Sequence, residues 1–378
     1  MVYFELGNEK ISSLGLGCMR LPVKNGNYSE IDMEKSAEMV DLAIKSGINY
    51  FDTAWGYHNG QSEIAMGKLL SKYPRESYYL TSKFPGYELS NIDKIEEIFE
   101  KQLQKCGVDY FDFYLFHSVS DGNIDGYLDR SHRIYDYMKA QKAAGRIRHI
   151  GFSTHGSLET VKRLMEAYGD VIEFCQIQLN WLDWSLQDAK AKVEYFNSLN
   201  IPLWIMEPVR GGGLCTLDEK YESRLKAVAP ERSLAEWAFR YIQSIDGVGV
   251  TLSGMSNMEQ LKENISTFSE KKPLDEKEMQ LLYTIADEMV ADNKLPCTSC
   301  RYCISKCPME LDIPYLIKLY NSKDPLRNYG SIAKDEIMEL DADKRPSACL
   351  SCGACEDVCP QRIDIKEMMQ ILKIRNDL

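Results

Sequence analysis

Between residues 11 and 254, short β-branched and aromatic runs alternate with stretches in which apolar residues recur every three or four positions. The runs INYFDTA from Ile48, SYYLTSK from Ser77, YFDFYLFH from Tyr110, IRHIGFS from Ile147, EFCQIQLN from Glu173, IPLWIME from Ile201 and VGVTLSG from Val248 read as strands. The stretches MEKSAEMVDLAIKSG, NIDKIEEIFEKQLQKCG and SLETVKRLMEAYG carry helical spacing and close on glycine, as amphipathic helices that pack on a sheet do. With ISSLGLG from Ile11 as the first strand there are eight strand–helix units. Eight such units close more readily into a (β/α)8 TIM barrel than into an open sheet, which predicts an α/β fold.

The pattern changes after about Ser269. KKPLDEKEMQLLYTIADEMVADN predicts one bridging helix, and IPYLIKLYN and IKEMMQILKIRN predict two more, each following a cysteine-rich run. No strand pattern recurs there. The organisation expected is a barrel over residues 1–270, a bridging helix over 271–292 and a small α-helical domain over 293–378. A tail of that size buries too little apolar surface to fold unaided and calls for bound metal.

Composition narrows the classes. Hydrophobic residues make up 44% of the 378 and charged ones 27%, enough for a sizeable globular core. Glu5 and Glu9 stand where a secretory signal needs an apolar run, and no stretch approaches the ~18 apolar residues of a membrane span, so a cytoplasmic protein with no membrane partner is expected. In that compartment the twelve cysteines read as metal ligands or small core residues rather than disulfides. The formal charge of −12 falls almost wholly on the first 290 residues, a surface that repels phosphate backbones and argues against nucleic acid.

The two runs CTSCRYCISKCP and CLSCGACEDVCP share the spacing C-x2-C-x2-C-x3-C-P. That is the bacterial ferredoxin arrangement for 4Fe-4S clusters, in which the fourth cysteine of each run crosses to the other cluster. Cys297, Cys300, Cys303 and Cys359 are therefore expected to hold one cluster, and Cys349, Cys352, Cys355 and Cys307 the other. A zinc site is satisfied by paired C-x2-C steps and does not call for this longer run twice over. The 52-residue separation, filled by helices, points to an α-helical ferredoxin-like domain. Cys18, Cys106, Cys175 and Cys215 lack such spacing and read as small buried hydrophobes.

The segments FDTAWGYHNGQSE, LTSK, LFH, GFSTHG, FCQIQLN and SGMSNMEQLKEN occur in an order that resembles the aldo-keto reductase family over about residues 1–270. The resemblance implies a catalytic tetrad of Asp52, Tyr57, Lys83 and His117. The residues agree with that chemistry. Asp52, Lys83 and His117 each end a predicted strand and Tyr57 lies just past one, so their side chains are expected to converge at the C-terminal face of a barrel. A phenol with a pKa near 10 is a poor acid at neutral pH, and a neighbouring ammonium favours the phenolate. Asp52 then balances Lys83, while His117 orients a substrate oxygen toward Tyr57.

The resemblance also implies that Ser153 and Gln176 hold the nicotinamide carboxamide and that the loop from Gly254 to Asn264 faces the adenosine. Alternatively, Gln176, Gln178 and Asn180 merely satisfy a polar barrel interior. Met206 stands where many members of the family place a stacking aromatic ring, and Gly254 and Gln260 where NADPH-preferring members carry cations. A phosphate without a cation partner binds poorly, which tilts NAD(P)H toward NADH or toward no tight nicotinamide binding. Arg210, followed by three glycines, is a candidate for the pyrophosphate.

Hydride carriers move two electrons and clusters move one, and no flavin fingerprint bridges them. Three readings follow. The first is a reductase of a small carbonyl, or oxidant of the alcohol, with clusters wired to a redox partner protein. The second is an electron-transfer protein using the barrel as a docking or small-molecule-binding scaffold. The third is a conventional reductase gated by structural or redox-sensing clusters.

Overall fold

The computed structural model describes residues 1–291, 295–321 and 336–375. The period-two runs become the strands of a closed parallel barrel: β3 (Leu14–Gly17), β4 (Tyr50–Asp52), β5 (Tyr79–Phe84), β6 (Phe111–Val119), β7 (Ile147–Thr154), β8 (Ile172–Gln178), β9 (Leu203–Met206) and β10 (Val248–Ser253). Each pairs with its sequence neighbour, and β10 pairs with both β9 and β3 to close the cylinder.

Two further strands, β1 (Tyr3–Leu6) and β2 (Glu9–Ser12), form an antiparallel hairpin that the pattern did not announce. The expected first strand from Ile11 is therefore divided: Ile11 and Ser12 belong to the hairpin, and the barrel begins at Leu14. The hairpin packs against the apolar interior at the N-terminal strand ends. Ile11 joins Tyr50, Phe113, Leu115, Phe174, Trp204, Val250 and Leu252 in one buried cluster, and the Phe4 ring meets Trp204 edge-on at 5.8 Å. Filling the barrel interior with bulky side chains leaves a packed core there and reserves the opposite mouth for chemistry.

The amphipathic stretches fold as helices Met33–Lys45, Ile95–Cys106 and Leu158–Tyr168, with Asp32 and Ser157 accepting hydrogen bonds from the first-turn N–H groups of Lys35 and Thr160. Gly107 ends the second of them in the left-handed conformation, φ 64°. Gly67, inside the helix Ser62–Leu70, serves a different need. A Cβ there would lie 2.6 Å from the Lys105 carbonyl oxygen, so this helix approaches the end of Ile95–Cys106 at backbone distance.

The bridging helix spans Glu276–Ala291. Lys271–Asp275 precede it outside the helix, and residues 292 and 293, also expected in it, lie outside the described residues. The chain divides into two compact units, residues 1–210 with 214–285 and, chiefly, 286–378. In the second unit the helices Ile313–Asn321 and Ile365–Arg375 pack Leu316, Ile317, Met368, Met369 and Leu372 around Cys303 and Cys355. Asn376, the last residue of the expected final helix, lies outside the described residues. No described helix is long and apolar enough to cross a membrane.

Candidate active site and metal centres

Register explains why four residues far apart in sequence meet. Asp52 pairs with Thr81 and Lys83 pairs with Leu115; Lys83 and His117 each stand two residues beyond those partners. A step of two keeps the same face, so the stagger of a closed barrel carries Asp52, Lys83 and His117 around one rim, all facing inward. Tyr57 enters from the turn after β4, where His58 and Asn59 adopt left-handed φ values of 52° and 53°.

Lys83 is the hub. Its Nζ donates to Asp52 Oδ1 at 2.7 Å, to the Thr53 carbonyl at 2.8 Å and to the Tyr57 hydroxyl at 3.5 Å. Lys83 is 0% exposed, Asp52 2%, His117 4% and Tyr57 8%, so an ion pair and a phenol share a site nearly without water. Burial pushes the Asp52 carboxyl up from its ordinary range and the Lys83 ammonium down, in each case against the attraction of the partner. His117 is held well below its usual value by burial and by the Lys83 charge, which makes it a neutral imidazole. The Tyr57 and Tyr87 rings meet His117 edge-on at 6.0 and 5.1 Å.

Sequence reasoning missed the supports. Tyr127 donates to the His117 carbonyl at 2.6 Å and is fully buried. It belongs to the stretch SVSDGNIDGYLDRSH, whose glycines suggest a mobile polar loop; the chain there forms the helix Ile124–Leu128 because Ile124 and Tyr127 bury inward. The signal was present in those two apolar residues, spaced three apart.

The expected cofactor residues stand on β7 (Ser153), β8 (Gln176) and β9 (Met206), in the turn after β9 (Arg210), just past β10 (Gly254) and, where a loop as far as Asn264 was expected, on the helix Met258–Thr267 (Gln260 and Asn264). Ser153 Oγ accepts from the Ser118 N–H at 2.8 Å, which leaves its own proton to donate. Gln176 Nε2 contacts Met206 Sδ at 3.7 Å. Gln176 Oε1 is buried and has no hydrogen-bond partner among the described residues, and the same holds for His117 Nδ1 and Asp52 Oδ2. The orphaned Gln176 Oε1 is an acceptor that suits a ligand able to donate, as a carboxamide does. Arg210 points its Nε at the buried Asp183 carboxylate at 3.0 Å. Asn264 donates to Ser253 Oγ, and Gln260 Oε1 accepts from the Ser256 N–H. The side chain of Arg20 lies against Gly254, its Cδ 3.1 Å from where a Cβ would sit, so the turn after β3 brings a basic side chain to a position whose own residue carries none.

Cys307, Cys349, Cys352 and Cys355 line one pocket together with Met309, Leu311, Ile365 and Met369. Burial raises the Cys303 thiol above its ordinary value, and the neighbouring thiols of Cys300, Cys297, Cys359 and Cys355 raise it further. The four cysteines of that pocket thus come three from one run and one from the other. Backbone N–H groups of Ser299 and Ser351 point at Cys297 and Cys349 sulfurs, each at 3.4 Å. Among the described residues no three potential ligands converge on a point that would hold a single metal ion. A four-iron core asks for thiolates spread around a cube, whereas zinc asks for them on one point. Cys18, Cys106 and Cys175 are buried, as small hydrophobes, and Cys215 is half-buried.

Comparison with known proteins gives two family matches: the aldo/keto reductase family over residues 13–287 and a 4Fe-4S dicluster domain over residues 296–363. An uncharacterized oxidoreductase of Bacillus subtilis, YqkF, is 26% identical over 298 residues, 72% of this chain and 92% of the relative. L-galactose dehydrogenase of Arabidopsis thaliana is 24% identical over 294 residues, 71% of this chain and 88% of its own. Among solved structures, the holo form of an aldo-keto reductase from Bacillus halodurans superposes with a TM-score of 0.61 at 26% identity, covering 75% of this chain and 96% of that one.

Proposed function

Because the chain belongs to the aldo/keto reductase family and carries a 4Fe-4S dicluster domain, we propose that it reduces a small aldehyde or ketone, or oxidises the alcohol, at Asp52, Tyr57, Lys83 and His117. The observation that carries this reading is the burial of Lys83 Nζ between Asp52 Oδ1, the Thr53 carbonyl and the Tyr57 hydroxyl. An ammonium taken out of water and aimed at a phenol has little structural purpose and a clear chemical one.

Ser153 and Gln176 would hold the carboxamide of a nicotinamide, and the eight cysteines would hold two 4Fe-4S clusters in the crossed sets described. Bound there, a nicotinamide would supply hydride chemistry at the carbonyl carbon, and the clusters would supply single-electron exchange with a redox partner protein. Tyr57 gives its proton to the substrate oxygen, and Lys83 stabilises the negative charge left on the phenol. Asp52 keeps Lys83 in place. His117, neutral at the rim, offers a hydrogen bond to the substrate oxygen and fixes its approach to Tyr57. One hydride and one proton complete the alcohol, so the carbonyl reaction balances without electrons from the clusters. We take residues 1–270 as the reductase barrel, 271–292 as the link and 293–378 as the cluster domain. NADH is favoured by the want of a cation at Gly254 and Gln260, with Arg20 the route by which NADPH would be accepted.

The test is turnover by anaerobically purified protein with NADH and NADPH against a panel of aldehydes and ketones. Tyr57→Phe should lower kcat by about 10²–10⁴. Turnover that survives the substitution would sink the tetrad reading, and no turnover with any carbonyl alongside reversible cluster reduction would transfer the function to electron carriage.

A further inference from the structure

Behind Lys83, away from Asp52 and Tyr57, lies a second buried charge that the tetrad does not use. Glu63, from the helix Ser62–Leu70, is fully buried with Ser82 and Gln102. Its Oε1 accepts from the Ser82 hydroxyl and from Gln102 Nε2, both at 2.7 Å. The same Gln102 amide reaches the Lys83 carbonyl at 3.0 Å, and Tyr114 holds the other end of the amide, donating to Gln102 Oε1 at 2.6 Å. The outer Glu63 oxygen is paired with Lys105 at 3.2 Å, and that ammonium sits 3.8 Å above the ring of Trp55, in the turn that carries Tyr57.

We propose that Glu63 is a positioning residue for Lys83, fixing the backbone at Lys83 through Ser82 and Gln102 and, with Lys105, setting the charge balance in which Lys83 holds its proton. Every charged or titratable group facing Lys83 enters that balance: Asp52 from β4, Tyr57 from the turn beyond it, Cys18 from the turn after β3, His117 from β6 and Glu63 from the helix. Asp52 and Glu63 are the carboxylates that favour the ammonium. Lys105 neutralises Glu63 only in part, through a single 3.2 Å contact at a half-buried edge. The inference rests on the tetrad reading.

Two substitutions push in opposite directions. Glu63→Gln keeps an oxygen to accept from Ser82 and Gln102 but removes the negative charge, so Lys83 should lose its proton sooner and the alkaline limb of kcat/KM should move to lower pH by roughly half a unit or more. Lys105→Gln removes a positive charge and should move the same limb to higher pH. A merely structural role would shift neither limb, or both the same way, and either result overturns the proposal. If Glu63→Gln fails to fold, the direction of the Lys105→Gln shift decides. Tyr57→Phe measured in parallel separates the two levels: activity retained there sinks the tetrad reading, whereas activity lost there with unmoved limbs here sinks only the role of Glu63.

Discussion

The Asp52–Lys83 pair should cost the protein stability rather than supply it, and this can be measured. At 2.7 Å the pair's attraction is about 6 kcal/mol at an effective dielectric near 20. Desolvating two ions takes several kcal/mol each, so the attraction is consumed by burial. The directions of both groups' titration agree. Asp52 is raised, so the folded state retains a proton the unfolded chain releases, and its contribution to stability falls as pH rises from the ordinary carboxylate range to the raised value. Lys83 is lowered, so the folded state sheds its proton first, and its contribution rises with pH between the lowered value and the ordinary lysine range. Replacing either partner alone, by Asp52→Leu or Lys83→Met, should destabilise by about 3–5 kcal/mol because it strands the other charge. The double variant should recover to within about 1 kcal/mol of wild type or exceed it, the lost Thr53 carbonyl bond accounting for that last kcal/mol. Anaerobic denaturant unfolding, followed by tryptophan fluorescence, reads all four proteins. A double variant as unstable as either single one would refute the argument and make the pair a structural element.

At the other end of the barrel, His149 lies between Glu9 and Glu173; burial disfavours its charged form, but the two carboxylates outweigh that and raise it to about 9. Its folded value exceeds its unfolded one, so the stabilisation is complete below about pH 6.5 and gone above about 9; His149→Gln should lower the unfolding midpoint at pH 6 and leave it unchanged at pH 9.5. Gly67→Ala forces a methyl group onto the Lys105 carbonyl and should cost about 1–3 kcal/mol, read as a lowered thermal midpoint. Cys300→Ala combined with Cys352→Ala should empty iron and sulfide from the protein and leave the second unit protease-sensitive while the barrel persists, since thiol-lined pockets without metal retain only a small apolar core. Metal analysis and limited proteolysis check it; a protease-resistant second unit would show that the core suffices.

What could be read from the sequence follows from how local each signal is. Strand runs such as YFDFYLFH and the helix KIEEIFEKQLQKC are written in nearest neighbours, and both folded where periodicity placed them. The hairpin Tyr3–Ser12 was hidden because its two strands are four residues each, too short for alternation to stand out. The supports of the site were illegible for a different reason. Gln102 bonding the Lys83 carbonyl, Tyr127 bonding the His117 carbonyl and Arg20 lying against Gly254 join residues 10 to 234 positions apart, and their partners are mostly backbone atoms that every sequence possesses. Folding each helix back on its strand brings the first two pairs together, and closure of the barrel between β3 and β10 the third. The same limit hid the basic side chain that Arg20 brings to Gly254.

The central claim is that the buried phenol–ammonium–carboxylate cluster reduces a carbonyl with a nicotinamide hydride, and labelled cofactor tests it most directly. With 4-deuterated NADH or NADPH and a carbonyl that turns over, mass spectrometry of the alcohol should show one deuterium at the former carbonyl carbon, and Tyr57→Phe should abolish its formation. An alcohol without label, or labelled alcohol formed undiminished by Tyr57→Phe, would contradict the account.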